Sequence, residues 1–208
     1  MQDNLFYLDG PHGSGKTTLA RELEKRDSKI VIPELFSRNV KFHTSPDYRQ
    51  ILKICGRAIE NFEYLEFAKN NPEKIVLGNR CVYGVLAYNW VYYKRGWIDE
   101  ENYNMLNLHT RDCFKYENQS PLAIILNPGF ETVRRHLQKR WGEAGKKWRE
   151  DDERYTELAC LAYEQFKNLE NVLYIPREAD FESGRDVNEC FGWMEGVRGR
   201  KLEEVIVQ

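Results

Sequence analysis

Short apolar runs alternate along the chain with longer stretches in which apolar residues recur every three or four positions. Leu5-Phe6-Tyr7-Leu8 predicts a strand, and Lys16 to Arg26 predicts a helix with Leu19 and Leu23 one turn apart among charged neighbours. Ile30-Val31-Ile32, closed by Pro33, predicts a second strand and completes a βαβ unit. From Asp47 to Lys69 the residues Ile51, Cys55, Ala58, Ile59, Phe62, Leu65 and Ala68 keep a helical period that Asn70-Asn71-Pro72 breaks. Ile75-Val76-Leu77 predicts strand three, followed by a helix carrying Val82, Leu86, Ala87 and Trp90. Beyond a turn at Gly96, Asp99 predicts the N-cap of a helix reaching about Phe114. Leu122 to Leu126 predicts strand four, and Pro128-Gly129 introduces a helix to about Trp141. A helix with Leu158, Leu161, Ala162 and Phe166 then leads into strand five, Val172-Leu173-Tyr174-Ile175, ended by Pro176.

Five strands alternating with helices predict an α/β fold, a five-stranded parallel sheet with helices on both faces. The chain reads as a single domain over 1–208. A polar, charged stretch at about 141–152 is expected to be an exposed lid. A C-terminal extension at about 177–208 carries a weak helical pattern (Val187, Cys190, Phe191, Met194) and a β-like end, Val205-Ile206-Val207.

Composition narrows the function. With 41% hydrophobic residues, a chain of 208 residues buries roughly 70% of its unfolded surface, enough for a real core. The 31 Lys and Arg nearly cancel the 33 Asp and Glu, which argues against a globally basic nucleic-acid coat or a membrane-hugging protein. No apolar run approaches a bilayer span, and Met1-Gln2-Asp3-Asn4 does not open a secretory signal, so a cytoplasmic location is expected. The five cysteines and the four histidines (His12, His43, His109, His136) show no metal-ligand spacing. Reduced core thiols are expected, and magnesium held through phosphate is the only metal chemistry expected.

Gly10-Pro11-His12-Gly13-Ser14-Gly15-Lys16-Thr17 fits G-x-x-x-x-G-K-[ST] and lies between a predicted strand and a predicted helix, the context the motif requires. Such glycines let successive backbone N–H groups turn onto phosphate oxygens, and the helix presents its positive end to the same anion. Gly10, His12, Gly13, Ser14, Gly15, Lys16, Thr17 and Thr18 are therefore the candidate nucleotide-binding residues. Lys16 is expected on the β- and γ-phosphates of ATP, and Thr17 on Mg2+. No N-K-x-D base-reading motif of the regulatory GTPases is present.

In a doubly wound sheet, ligands gather at the carboxyl ends of the strands. Glu34 follows strand two, and Asn79-Arg80 follows strand three. A carboxylate there accepts a hydroxyl proton or holds metal-bound water; an arginine holds an acceptor oxygen in line for transfer.

These residues carry a resemblance. Asp9 through Thr18, the segment Asn79-Arg80-Cys81 to Ala87-Tyr88-Asn89, and Arg57 upstream are similar to the opening loop, the D-R-Y…A-Y-Q segment and the base-contacting arginine of the thymidylate kinases and deoxynucleoside kinases. The resemblance covers roughly residues 4 to 176. It implies a five-stranded parallel sheet, ATP as donor, magnesium, and a pyrimidine nucleoside or its monophosphate as acceptor. Arg80 would orient the acceptor phosphate or 5′-hydroxyl, Asn79 would lie beside it, and Arg57 would contact the base with Phe62 or Tyr64 stacking. A homodimer through the helices after Asp47 and after Arg80 is also implied. Asn79 stands where the family keeps an acid, and His12 where thymidylate kinases often keep a carboxylate. Glu34, in Ile32-Pro33-Glu34, is similar to the catalytic glutamate of the deoxynucleoside branch.

Between Arg134 and Arg154 lie eight cations in twenty-one residues, interleaved with Trp141 and Trp148. Lid arginines neutralise charge that develops in phosphoryl transfer and exclude water, and Arg135, Arg140 and Arg149 are the candidates. Three readings follow: an ATP-dependent nucleoside or nucleotide kinase; a kinase of the same fold acting on a normal or modified nucleotide within DNA or RNA; and a binding module with slow ATPase activity.

Overall fold

The computed structural model describes residues 4–33, 46–114, 121–144, 149–176 and 183–206. Its elements are β1 (Leu5–Asp9), α1 (Lys16–Arg26), β2 (Ile30–Val31), α2 (Pro46–Asn70), β3 (Ile75–Asn79), α3 (Val82–Lys94), α4 (Glu100–Phe114), β4 (Ala123–Asn127), α5 (Phe130–Ala144), α6 (Glu153–Tyr163), β5 (Val172–Pro176) and α7 (Ser183–Ile206). The five strands form one parallel sheet in the order β2-β3-β1-β4-β5, with Leu5 opposite Val76 and Tyr7 opposite Ala123.

Both faces of the sheet are covered, which is why its strands read as continuous apolar runs rather than as alternating ones. Leu5, Tyr7, Val76, Ala123 and Ile125 face α2, α3, α4 and α6. Phe6, Leu8, Leu77, Ile124 and Leu126 face the other way, onto Leu19 and Leu23 of α1 and Val187, Cys190 and Met194 of α7. Asp99 does cap α4, its Oδ1 accepting from the Asn102 N–H at 2.8 Å. Among the described residues no helix is long and apolar enough to cross a membrane.

Two expectations need correction. The C-terminal extension carries the expected helix but not the β-like end: α7 runs to Ile206 and closes one face of the core, and Val205 and Ile206 are helical. Gly184, Gly192 and Gly196 weaken its sequence signal, so burial of Val187, Cys190 and Met194 carries the helix. The polar stretch at 141–152 is not wholly outside the core either. α5 continues to Ala144, and Glu150 is buried, paired with Arg140 and within reach of the Trp141 indole N–H at 3.4 Å. A charged residue is kept inside here because its charge is matched locally.

Candidate active site

The site is built where β1 and β3 end. After Asp9 the chain turns through Gly10, whose φ of 135° is open to glycine and whose Cβ, if present, would lie 2.1 Å from the Leu126 carbonyl oxygen. The loop closes at Gly15, in the left-handed region, as the N-cap of α1. No side chain caps this helix, and its first turn holds no acid. Its N-terminal N–H groups thus face the loop, the arrangement that suits an anion. Lys16 curls back over the loop, its Nζ donating to the carbonyls of Gly10 (3.0 Å) and Pro11 (2.7 Å) and to Ser14 Oγ (3.1 Å). From α5, His136 Nδ1 braces the loop at 2.9 Å from the Gly13 carbonyl oxygen. Thr17 and Thr18 are exposed on the first turn of α1.

Asp9 joins this loop to the turn between β3 and α3. Its fully buried carboxylate accepts from the backbone N–H groups of Gly10 (2.8 Å), Cys81 (3.0 Å) and Gly84 (2.9 Å), and from the Tyr163 hydroxyl (2.7 Å). Because α3 lacks a capping side chain of its own, Asp9 serves as its cap from another element, at the helix end where negative charge is favoured. A Cβ on Gly84 would fall 2.7 Å from that carboxylate, so the glycine is what admits it.

Arg80 completes the cluster. Its backbone is left-handed at φ 66°, an uncommon state for a non-glycine residue. Its guanidinium donates to the Gly10 carbonyl (3.0 Å) and the Tyr163 hydroxyl (2.9 Å), lies 3.3 Å from Asp9 Oδ1, and sits 5.3 Å from the Tyr88 ring centroid. Burial works against its charge, but Tyr163, Tyr88 and Asp9 outweigh burial and hold it firmly protonated.

The field at the loop is strongly positive although the chain as a whole is not. Burial first, then Arg80 lowers the pKa of Lys16, with Arg140 and Arg57 acting in the same sense. His12, 5.7 Å from the Tyr88 ring, is lowered by burial and by Arg80, Lys16, Lys53 and Arg140. Groups that resist their own protonation in this way mark a place that favours a multiply charged anion.

On α2, Arg49, Lys53 and Arg57 recur every four residues and so form one stripe. Arg57 donates to the Asn79 carbonyl at 2.6 Å and pairs with Glu60. Lys53 lies 5.9 Å and 5.6 Å from the Tyr88 and Tyr92 rings; the protein around it, then Arg80, Arg49 and Arg57, lower its pKa to about 8. Behind Tyr88 stand Tyr155, 5.9 Å away, and Trp97, stacked on Tyr155 at 5.6 Å. Arg149, also left-handed at φ 59°, lies over Trp97 at 5.1 Å.

The structure therefore brings together Gly10, His12, Gly13, Ser14, Gly15, Lys16, Arg57, the Asn79 backbone and Arg80, with Arg140 close enough to act on His12 and Lys16. Phe62 is not part of this group: 57% exposed, it lies on the side of α2 opposite Lys53. Tyr64 is core, packed edge-on against Tyr7. Glu34 and Trp148 lie outside the described residues. Trp141 packs on the Val133, Leu137 and Cys160 cluster. A cavity of about 220 Å³ between α5 and α6, lined by Leu137, Trp141, Glu150 and Thr156 among others, takes in none of the residues around Asp9. Sequence reasoning did not assign roles to Asp9, Gly84, His136 and Tyr163. The Arg49-Lys53-Arg57 spacing was a signal in plain view, whereas the other contacts span 71 to 154 residues.

No protein-family model matches the sequence, and no curated protein matches it. Solved structures do. Deoxyadenosine kinase from M. mycoides with bound dATP superposes with a TM-score of 0.69 at 19% identity, over 92% of this chain and 99% of that one. The same enzyme with the products dCMP and dCDP gives 0.58 at 17% identity over the same shares of the two chains. Thymidylate kinase from Candida albicans gives 0.63 at 13% identity over 93% and 91%. The fold is that of the P-loop nucleotide kinases. In this fold the loop at Gly10 and the residue after β3 lie side by side, as the hydrogen bond from Arg80 to the Gly10 carbonyl shows.

Proposed function

We propose that the protein transfers the γ-phosphoryl group of ATP to a small acceptor of the nucleoside class, a pyrimidine (deoxy)nucleoside or its monophosphate. The observation that carries this reading is the Asp9 cluster, which fastens the phosphate loop at Gly10 to Arg80 on the acceptor side. The kinship in fold with structures of a deoxyadenosine kinase and a thymidylate kinase supports it.

The chemistry is mainly positioning and charge neutralisation. Backbone N–H groups from Gly13 to Lys16 hold the β- and γ-phosphates, and Lys16 exchanges its bonds to the loop carbonyls for phosphate oxygens. Thr17, exposed beside Lys16 on the first turn of α1, fits a magnesium-bound nucleotide, whereas Asp9, with its oxygens already occupied by donors, does not offer itself as a metal ligand. Thr17 would hold Mg2+ through the nucleotide, and the ion would supply charge neutralisation at the phosphates. Arg80 holds the acceptor oxygen in line, a bond forms from that oxygen to the γ-phosphorus, and the bond to the β–γ bridging oxygen breaks to release ADP. Arg140 and Arg149 approach from the lid side, and Arg57 and the Asn79 backbone border the acceptor. Tyr88, buried among His12, Lys53, Arg80 and the Tyr155–Trp97 stack, forms the wall behind these cations and does not take the stacking place expected of Phe62.

The cation stripe Arg49, Lys53 and Arg57 favours an acceptor that already carries phosphate, which needs no base to ionise it. A nucleoside hydroxyl would give its proton to Glu34. The reading in which the acceptor is a nucleotide within DNA or RNA draws on the lid cations. Much of that charge is matched, by Glu131 and Glu153 at Arg134, Glu150 at Arg140 and Glu157 at Arg154. A second copy of the chain is the partner we assign to the exposed Ile59 and Phe62 of α2 and Met105 and Leu108 of α4. α3, expected to share that contact, is largely buried.

Incubation with magnesium and γ-labelled ATP against nucleosides, nucleoside monophosphates and DNA oligomers tests the proposal. Label on a monophosphate is the expected outcome. Label on a nucleoside would shift the chemistry to Glu34, label on an oligomer would select the polymer reading, and label only as inorganic phosphate would leave a slow ATPase.

A further inference from the structure

The thiols of Cys55 and Cys113 and the imidazole of His109 converge at the seam between α2 and α4. His109 and Cys113 stand one helical turn apart and so share a face of α4, and Cys55 meets them from α2. Cys55 Sγ lies 3.8 Å and Cys113 Sγ 3.7 Å from the same nitrogen, His109 Nε2, and the three ligand atoms fall within 4.8 Å of one another. In sequence, 54 residues separate Cys55 from His109, which is why no metal-ligand spacing was legible there.

We propose that Cys55, His109 and Cys113 bind a thiophilic divalent transition-metal ion of the Zn2+ type. Zinc–sulfur bonds of about 2.3 Å and zinc–nitrogen bonds of about 2.0–2.1 Å at tetrahedral angles place S and N about 3.6 Å apart. The two S···N separations found here are within about 0.2 Å of that edge. The ligand types agree as well, since two thiolates and an imidazole select soft and borderline ions over magnesium or calcium. Two thiolates also balance a divalent charge, so the loaded site carries no net charge into the helix seam.

Nε2 faces both sulfurs, so the metal takes Nε2 and the imidazole proton resides on Nδ1. None of the three side chains is fully buried and Cys55 is the most open of them, which leaves access for the ion and a fourth position for water or a small anion. By contrast, Cys81, Cys160 and Cys190 are buried, and burial pushes the thiol pKa values of Cys81 and Cys160 up. Cys55 is about 160° round α2 from Lys53 and from Arg57, so the ion does not face the acceptor side. Its role is to staple α2, which carries the Arg49-Lys53-Arg57 stripe, to α4.

The test is a Co2+ titration of the reduced, nucleotide-free full chain. One equivalent should bind with thiolate-to-cobalt charge-transfer absorption and tetrahedral visible bands, and Zn2+ should displace it. Cys55→Ser, Cys113→Ser and His109→Ala, checked by circular dichroism for an intact fold, should each weaken binding by about tenfold or more. A wild-type melt should rise with zinc and fall back with chelator, a readout that needs no variant. Absence of charge-transfer absorption in the reduced wild type would overturn the proposal, as would binding as tight as the wild type's in all three variants. Formation of a Cys55–Cys113 disulfide under mild oxidant, with no cobalt binding after reduction, would reassign the pair to thiol redox chemistry.

Discussion

The hydroxyl of Tyr163, at the last residue of α6, donates to Asp9 Oδ1 at 2.7 Å, and through that one oxygen a helix 154 residues along the chain holds the phosphate loop. The same hydroxyl accepts from Arg80 at 2.9 Å, so three elements remote in sequence share one hydrogen-bonded knot. Tyr163→Phe should remove a donor from a buried carboxylate and a partner from a buried guanidinium. A loss of about 1–3 kcal/mol in urea unfolding is expected, with turnover falling more than ATP affinity because it is Arg80 that loses its bearing. Unchanged stability and turnover would show that the knot is idle.

Gly84→Ala places a methyl group 2.7 Å from the Asp9 carboxylate. Either α3 or Asp9 must shift, at a cost of about 1–3 kcal/mol of the kind overpacking brings. Alanine at Gly56, where a Cβ would meet nothing within 4 Å, is the matched control and should be tolerated. Equal melting curves for the two variants would contradict the role given to Gly84.

Arg80→Ala strips a buried carboxylate of its cation, a change that commonly costs about 3–5 kcal/mol, so the variant must be compared with Arg80→Lys, which retains charge without the planar fork. Both should raise the acceptor KM and lower kcat, while ATP affinity in Arg80→Lys should stay within about threefold of the wild type. Equal loss of ATP and acceptor binding would remove Arg80 from the acceptor side.

Protonation provides an independent check. Burial and Arg80 lower the pKa of Lys16, and burial, Arg80, Lys16 and Lys53 lower that of His12; polyphosphate placed among them supplies the opposite charge and raises both again. A group whose pKa is higher in the complex than in the free protein takes up protons on binding, so ATP affinity should fall as pH rises. Calorimetry in buffers of different ionisation enthalpy reads this directly. Proton release on binding would contradict the electrostatic account.

Much of this architecture is written locally. Leu5 to Leu8 and Val172 to Ile175 read as strands, and they are, the first fully buried and the second, at the sheet edge, with Leu173 and Tyr174 partly exposed. Glycines at fixed spacing before Lys16 mark the loop because backbone geometry and phosphate binding both depend on nearby residues. α7 was harder, since its glycines dilute a helical signal that core burial restores. Phe62 shows the opposite error: an aromatic residue on the correct helix, turned away from the site by about half a turn. The Asp9 knot and the Cys55-His109-Cys113 cluster depend on contacts between elements, which periodicity does not encode.

The most direct test of the central claim is acceptor-dependent label transfer from γ-labelled ATP by the wild type and by Lys16→Ala, each confirmed as folded. Lys16 touches only its own loop among the bonds described, so the fold should survive. Transfer to a nucleoside monophosphate should fall by about 10²–10³ or more. Full transfer by Lys16→Ala, or none by the wild type with any acceptor, would contradict the account.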